Sequence, residues 1–525
     1  MHRLTSSPIL KLVLAILLFL ALPDGVFAHG GSEHEASAMA GSLAWGFLGF
    51  GVVVISAVSF ILFAGNAQSK RAVSAADFEG LSGFGGYIAK IRLFSRNARL
   101  FMIHVVGMDV IYGTWSVLFN LYLLAVGFDI AFIGLRLLLA SITRALLAIP
   151  AGLISDRVGR KLSFVLGDGG GAVMSLIAIS TGDATLLLVT AVLGGAFGSI
   201  HGVAEPAFMA ENSEDFERVH LFSVSSGTRT AAAIIGSALA GLIPLLFAGS
   251  GTLQEQIGLY RTVAYIGIGG WFASLIPAVM LTQVVKARVE IRGLRSLFAG
   301  VKNPGLIWKL TIPEAVIALG AGFTLPLMNV FFKQNLGSPE VEIGATFAAG
   351  EAFLVVGAFL APLAVSRFGK VKSVVITRLL AIPFILLIAF SPDVGAAFGS
   401  VFTIAGLAYI ARITFSNMAS PVRSAFAMEI LDPGERGTQV GIEMALASAL
   451  SGLASYVGAQ LMELGDFRSP FIFMAGLYLI ANLIFWHFFS RQEQRPVSVP
   501  AADGLETAFL GADAGGSAAA TPMGD

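Results

Sequence analysis

Apolar stretches of about twenty residues recur along almost the whole chain, and this repetition constrains the fold more than any other feature. A helix of that length matches the hydrocarbon thickness of a bilayer, so each stretch is a candidate membrane span. One, at 42–64, stands apart. After a polar interval twelve more follow, at 100–125, 131–154, 162–180, 184–206, 220–247, 258–281, 306–331, 343–365, 373–391, 395–418, 438–462 and 468–489. The chain is 56% hydrophobic and only 13% charged, with a mean hydropathy of +0.82, too little charge to cover a soluble protein of 525 residues. The expected class is an all-α membrane protein: two six-helix bundles plus one extra N-terminal transmembrane helix.

Charge and cysteine content exclude several functions. The 33 basic and 33 acidic residues balance, which gives no reason to expect a nucleic-acid partner. There are no cysteines, hence no disulfides, thiol nucleophiles or thiolate metal sites. No G-x-x-x-x-G-K-[ST] loop, nucleophile–base cluster or cofactor loop is present, so neither an ATP-driven pump nor an enzyme is expected, and no cofactor.

The order of segments sets the domains. Residues 1–28 read as a signal peptide: Arg3 and Lys11 flank a short apolar core, and Val26-Phe27-Ala28 presents small residues at the cleavage positions. An uncleaved anchor is the alternative. Residues 29–96 hold an exterior His-containing segment, the extra helix and a basic linker, in which 78–94 either lies on the inner leaflet or simply connects. The first bundle covers 97–281, a central loop 282–305, the second bundle 306–490 and a disordered Ala/Gly/Ser/Pro-rich tail 491–525. Lys and Arg cluster at 70–99, at Arg157/Arg160/Lys161, in the central loop and at Arg367/Lys370/Lys372. By the positive-inside rule these are cytoplasmic, which places the mature N-terminus outside a cell (inner or plasma) membrane and the C-terminus inside.

Internal duplication is visible in the residues. Gly152-Leu-Ile-Ser-Asp156-Arg157-Val-Gly159-Arg160-Lys161 is echoed by Ser366-Arg367-Phe-Gly369-Lys370-Val-Lys372 at a spacing of 210. Glu211 and Glu217-Arg218 return as Glu429 and Glu435-Arg436 at 218, and Asn120 corresponds to Asn329. The halves are therefore parallel repeats. The 152–161 loop resembles the G-x-x-x-D-R-x-G-R-K signature of the major facilitator superfamily, and the resemblance covers about 97–490. It implies a twelve-helix fold, alternating access by rocking of the halves, a mid-membrane site and a conformational role for Gly152, Asp156, Arg157, Gly159, Arg160 and Lys161. Plain anchoring of that loop to lipid is the other reading. Ser366 replaces the aspartate in the second copy, which weakens that loop as a switch.

Ionisable groups inside spans cost about 2.5–3.5 kcal/mol each and so mark candidate sites. Asp109 and Arg144 lie at similar depth and are expected to pair, either structurally or for coupling; Asp109 and Glu351 are the carboxylates suited to carry a proton. Glu205 and Arg423 occupy pseudo-equivalent positions with opposite charge and are expected to meet as an inner gate, or else to pair locally. Arg229 and Arg412 suit an anionic substrate, and His104, Tyr112, Trp115, Asn120, His201 and Asn329 line a cavity or pack helices. His104 with Met108, His201 with Glu205, and His29 with His34 outside, are the possible metal ligands. Three functions follow: a proton-coupled secondary transporter of a small solute, a transition-metal (copper, nickel, zinc or iron) transporter, or a receptor or scaffold that keeps the fold. The partners expected are substrate, proton and lipid, with a membrane partner on the 42–64 helix.

Overall fold

The computed structural model describes residues 33–63, 91, 94–213, 215–247, 251–282, 301–398, 400–432 and 434–491. The signal peptide, His29, most of the basic linker, most of the central loop and the tail lie outside them, and His34 is described by its backbone alone. Fourteen main helices run in order: α1 (Glu33–Phe63), α2 (Arg96–Val126), α3 (Ile130–Val158), α4 (Arg160–Ser180), α5 (Ala184–Glu211), α6 (Asp215–Leu246), α7 (Leu253–Val279), α8 (Pro304–Gly322), α9 (Glu340–Phe368), α10 (Lys370–Ala389), α11 (Ser391–Phe398), α12 (Val401–Ile430), α13 (Arg436–Glu463) and α14 (Ser469–Phe489). Among the described residues twelve are long and apolar enough to cross a membrane, the eighth being counted from Pro304 to Asn335. The described apolar stretch of α1, Gly41–Ser56, is shorter than these, so it is not itself a thirteenth demonstrated span.

The helices pack as two bundles, α2–α7 and α8–α14, joined along two seams, α3 against α13 and α6 against α9. Loop chemistry repeats between them. Gly159 ends α3 at φ 88° and Gly369 ends α9 at φ 81°, a region with essentially no room for a side chain. Gly159→Ala should therefore cost about 1–3 kcal/mol, read as a lower thermal midpoint of the purified protein. Arg160 reaches Glu211 at 3.1 Å and Asp156 at 2.8 Å, and Lys370 pairs with Glu429, so the repeated charges noted in the sequence tie each loop to the end of its own bundle. Gly152 is not a point of forced contact: a Cβ there would sit 3.5 Å from Val203. Arg157 is exposed, and neither it nor Lys161 makes an ion pair among the described residues.

Hydrogen bonds between the halves gather at one end of the two seams. α8 breaks after Gly322 into a short 3-10 turn, Leu325–Leu327, followed by a single wide-wound turn at Phe331–Asn335. Proline 326 removes a backbone donor here, and its own carbonyl is free to accept from Asn120 Nδ2 at 2.8 Å. Asn120 also donates to Asn329 Oδ1 at 3.0 Å, and Asn329 Nδ2 donates back to the Val117 carbonyl at 2.9 Å. The repeated asparagines thus clasp each other across the two halves rather than lining a cavity. Ile130 N–H to Glu463 and Gln256 and Tyr260 to Glu340 close the same end. Among the described residues, all hydrogen bonds between the halves lie there, and none joins them near the Gly159 and Gly369 loops.

Helix α1 lies against both α6 and α9. Phe47 and Ala44 are buried among Ile234, Ala238 and Leu242 of one half and Val341, Ala345 and Ala348 of the other. Its inner face is taken by both bundles, while Trp45 and Val53 face outward.

Candidate functional site

A chain of buried polar groups crosses the first bundle. His104 on α2 places Nδ1 2.9 Å from the Ser274 carbonyl and Nε2 2.9 Å from Asp168 Oδ2 on α4. His201 on α5 places Nδ1 2.9 Å from the same carboxylate oxygen and Nε2 3.2 Å from Glu205 Oε2, one turn on. Glu205 accepts from Arg229 on α6 at 2.5 Å, and Arg229 Nε lies 3.1 Å from Asp109 on α2. Close crossing of α2 and α6 makes this possible: Gly113 and Gly236 pack backbone to backbone, with no space for a Cβ on either.

The partners differ from those read in the sequence. Asp109 pairs with Arg229, not Arg144, because α2 packs on α6 and α7 and barely touches α3. Glu205 and Arg423 stay in their own halves: Arg423 bonds Glu443 and lies 3.4 Å from Glu314, which also pairs with Arg378 at 2.8 Å. His104 is fully buried against Phe101 and Phe164, so it is not a cavity wall. Trp115 stacks on Phe119, over which the Arg136 guanidinium also sits. The hydrogen bonds of His104 and His201 go to Ser274, Asp168 and Glu205, not to Met108. Asp168 was not anticipated. An acid in the middle of the 162–180 span was the available signal, but its partners lie on other helices.

The two bundles carry the same network with the signs exchanged. His104 and Glu314 are separated by the 210 residues that relate Gly159 to Gly369, as are Asp168 and Arg378. Glu205 and Arg423 share the 218 spacing of Glu211 and Glu429. Where the first bundle pairs Glu205 with Arg229, the second pairs Arg423 with Glu443.

Charged groups of both bundles lie within electrostatic reach of Tyr112 on α2. Tyr112 is 62% exposed although it lies mid-way along α2. Its hydroxyl is close enough to Asp109, Arg144, Arg229 and Glu351 for their charges to act on it, and Tyr409 is similarly placed between Glu351, Arg412 and Tyr112. Arg144 is exposed with no ion pair among the described residues. Arg412 is buried and donates to Tyr478 at 2.9 Å. The sequence candidates Asp109, Tyr112, Arg144, Arg229, Glu351 and Arg412 therefore converge from both halves.

Two six-helix repeats that supply twelve membrane-length helices define the architecture of a multi-pass membrane protein. The sequence profile of the Major Facilitator Superfamily matches residues 100–419 and again 310–519, and the chain belongs to this family. It is a secondary transporter of that type. Solved structures agree on the fold. A nucleoside transporter, NupG, aligns at 14% identity and TM-score 0.59, over 75% of this chain and 99% of that one. A D-xylose–proton symporter aligns at 15% and 0.58, over 77% and 98%. A bacterial homologue of the iron transporter ferroportin, in an inward-facing state, aligns at 14% and 0.59, over 75% and 98%. No curated protein sequence matches. The cargoes named for these structures differ so widely that the shared fold does not choose among them.

Proposed function

We propose that the chain moves a small organic solute by alternating access, driven by protons, with its site at the ring of Tyr112, Arg144, Glu351 and Arg412. The observation that carries this reading is the convergence of charged groups from both halves at mid-depth, at the inner limit of an opening closed at its far end. Arg144 is the cation to hold an anionic group of the solute, since Arg229 is already engaged by Asp109 and Glu205. Glu351, which no described residue meets in a hydrogen bond or ion pair, is the carboxylate to load and release the proton.

The positive-inside rule applied to the clustered Lys and Arg supports a cytoplasmic position for the Gly159 and Gly369 loops, and in this reading the conformation is inward-facing in a cell membrane with the N-terminus outside. In this reading a signal peptide precedes α1, and α1 completes a thirteenth crossing, extended by the apolar residues up to 64. The test is a thermal-shift screen against organic anions, sugars, nucleosides and amino acids, followed by proteoliposome uptake of any solute that stabilises the protein. Arg144→Gln should abolish the shift, and Glu351→Gln should remove acceleration by an inward proton gradient while leaving exchange of solute. Gradient-driven uptake that survives Glu351→Gln would sink the proton assignment.

A further inference from the structure

We infer that His104, Asp168 and His201 form a binding site for one divalent transition-metal ion inside the first bundle. It is separate from the solute ring and stands whether or not that reading holds. Donor atoms of the three residues all lie within 4.8 Å of one another and come from three helices, α2, α4 and α5. Their outer partners fix the ring faces. The Ser274 carbonyl can only accept, so it holds the hydrogen on His104 Nδ1 and leaves the Nε2 lone pair directed at Asp168. Glu205 does the same behind His201: it takes the Nε2 hydrogen and leaves the Nδ1 lone pair directed at the same carboxylate. An imidazole backed by a carbonyl or carboxylate is how proteins orient a metal-ligating histidine and raise its basicity.

The dimensions fit. Bonds of about 2.0–2.1 Å to nitrogen and oxygen give tetrahedral edges about half an ångström longer than the 2.9 Å N···O separations here and inside the 4.8 Å limit within which all three donors lie, so closure on an ion takes a rotation of the carboxylate and an adjustment of the two rings. Two imidazoles and one carboxylate suit zinc, iron(II), cobalt(II) or nickel(II) rather than calcium or magnesium. Three protein ligands leave positions open, unlike the closed four-ligand sites that serve structure alone. An ion would reach the site from the central opening past Arg229, whose side chain is 32% exposed, and Glu205.

The second bundle supplies the contrast. At the positions equivalent to His104 and Asp168 it has Glu314 and Arg378, a plain ion pair that meets the same packing need. Histidine at 104 is thus not required by the architecture.

The experiment is titration of Co2+ into the purified full chain, read by the visible d–d bands of bound cobalt and by its displacement with Zn2+. One saturating Co2+ per chain is expected. His104→Gln, His201→Gln and the isosteric Asp168→Asn should lose it, while Glu314→Gln keeps it. Glu205→Gln, which removes the backing of His201, should weaken binding about 10–100-fold. Thermal melts of each variant separate loss of the site from loss of the fold. Absence of a saturable spectrum, or a spectrum that persists in His104→Gln and His201→Gln, as it would if His29 and His34 bound the cobalt, overturns the site. Neither outcome bears on uptake of an organic solute through Arg144.

Discussion

Replacing Arg423 with glutamine should destabilise the second bundle by about 3–5 kcal/mol, the loss expected when one partner of a buried ion pair is removed. Arg423 is 6% exposed and is the group through which Glu443 and Glu314 are both neutralised. Its loss leaves Glu443 with only Gln439 as a polar partner, and leaves Glu314 to Arg378 alone. Glutamine at 423 and 443 together should cost less than Arg423→Gln alone, because no uncompensated charge remains on that pair. Thermal unfolding of the two variants in detergent decides it: equal losses would mean that the pair contributes nothing as a pair.

Gly344→Val should have a comparable effect on function with little on folding. A Cβ at 344 would stand 2.7 Å from the Ser237 carbonyl and 2.9 Å from Gly241 Cα, across the α6–α9 seam where the closed end is sealed. Overpacking of this sort costs about 1–3 kcal/mol. Here it falls on one conformation alone, so the closed-end population should drop by about ten- to a hundredfold. The chain has no cysteine, so Leu253→Cys and Leu464→Cys give one spin label on each half at that end without further substitutions. The label distance should lengthen in Gly344→Val. An unchanged distance would mean that the seam does not set the equilibrium.

Much of the fold was legible because it is written in one dimension. Span length and apolar content follow from bilayer thickness, and the Gly159/Gly369 and Arg160/Lys370 repeats fall at loops whose chemistry is local. Sequence gives depth along a helix but not which neighbour a face meets. Asp109 and Arg144 share a depth, yet Arg229 on the packed neighbour α6 takes the carboxylate. The same limit hid Asp168, whose two histidine partners sit 64 residues before it and 33 after it. For Asn120 and Asn329 the sequence leaves cavity lining and helix packing equally open. Only the break at Pro326 reveals that they fasten the halves.

Helix α1 makes the transporter one-sided toward the lipid. A two-bundle carrier has two long slits along which its halves meet, and each is a place where acyl chains could reach the interior. Here Phe47 and Ala44 plug one of them, between α6 and α9, while among the described residues no such strip covers the slit between α3 and α13. A hydrophobic molecule approaching within the bilayer would therefore find one flank caulked and the other bare. Any relative motion of the halves would make α1 either slide on one of them or travel with the other.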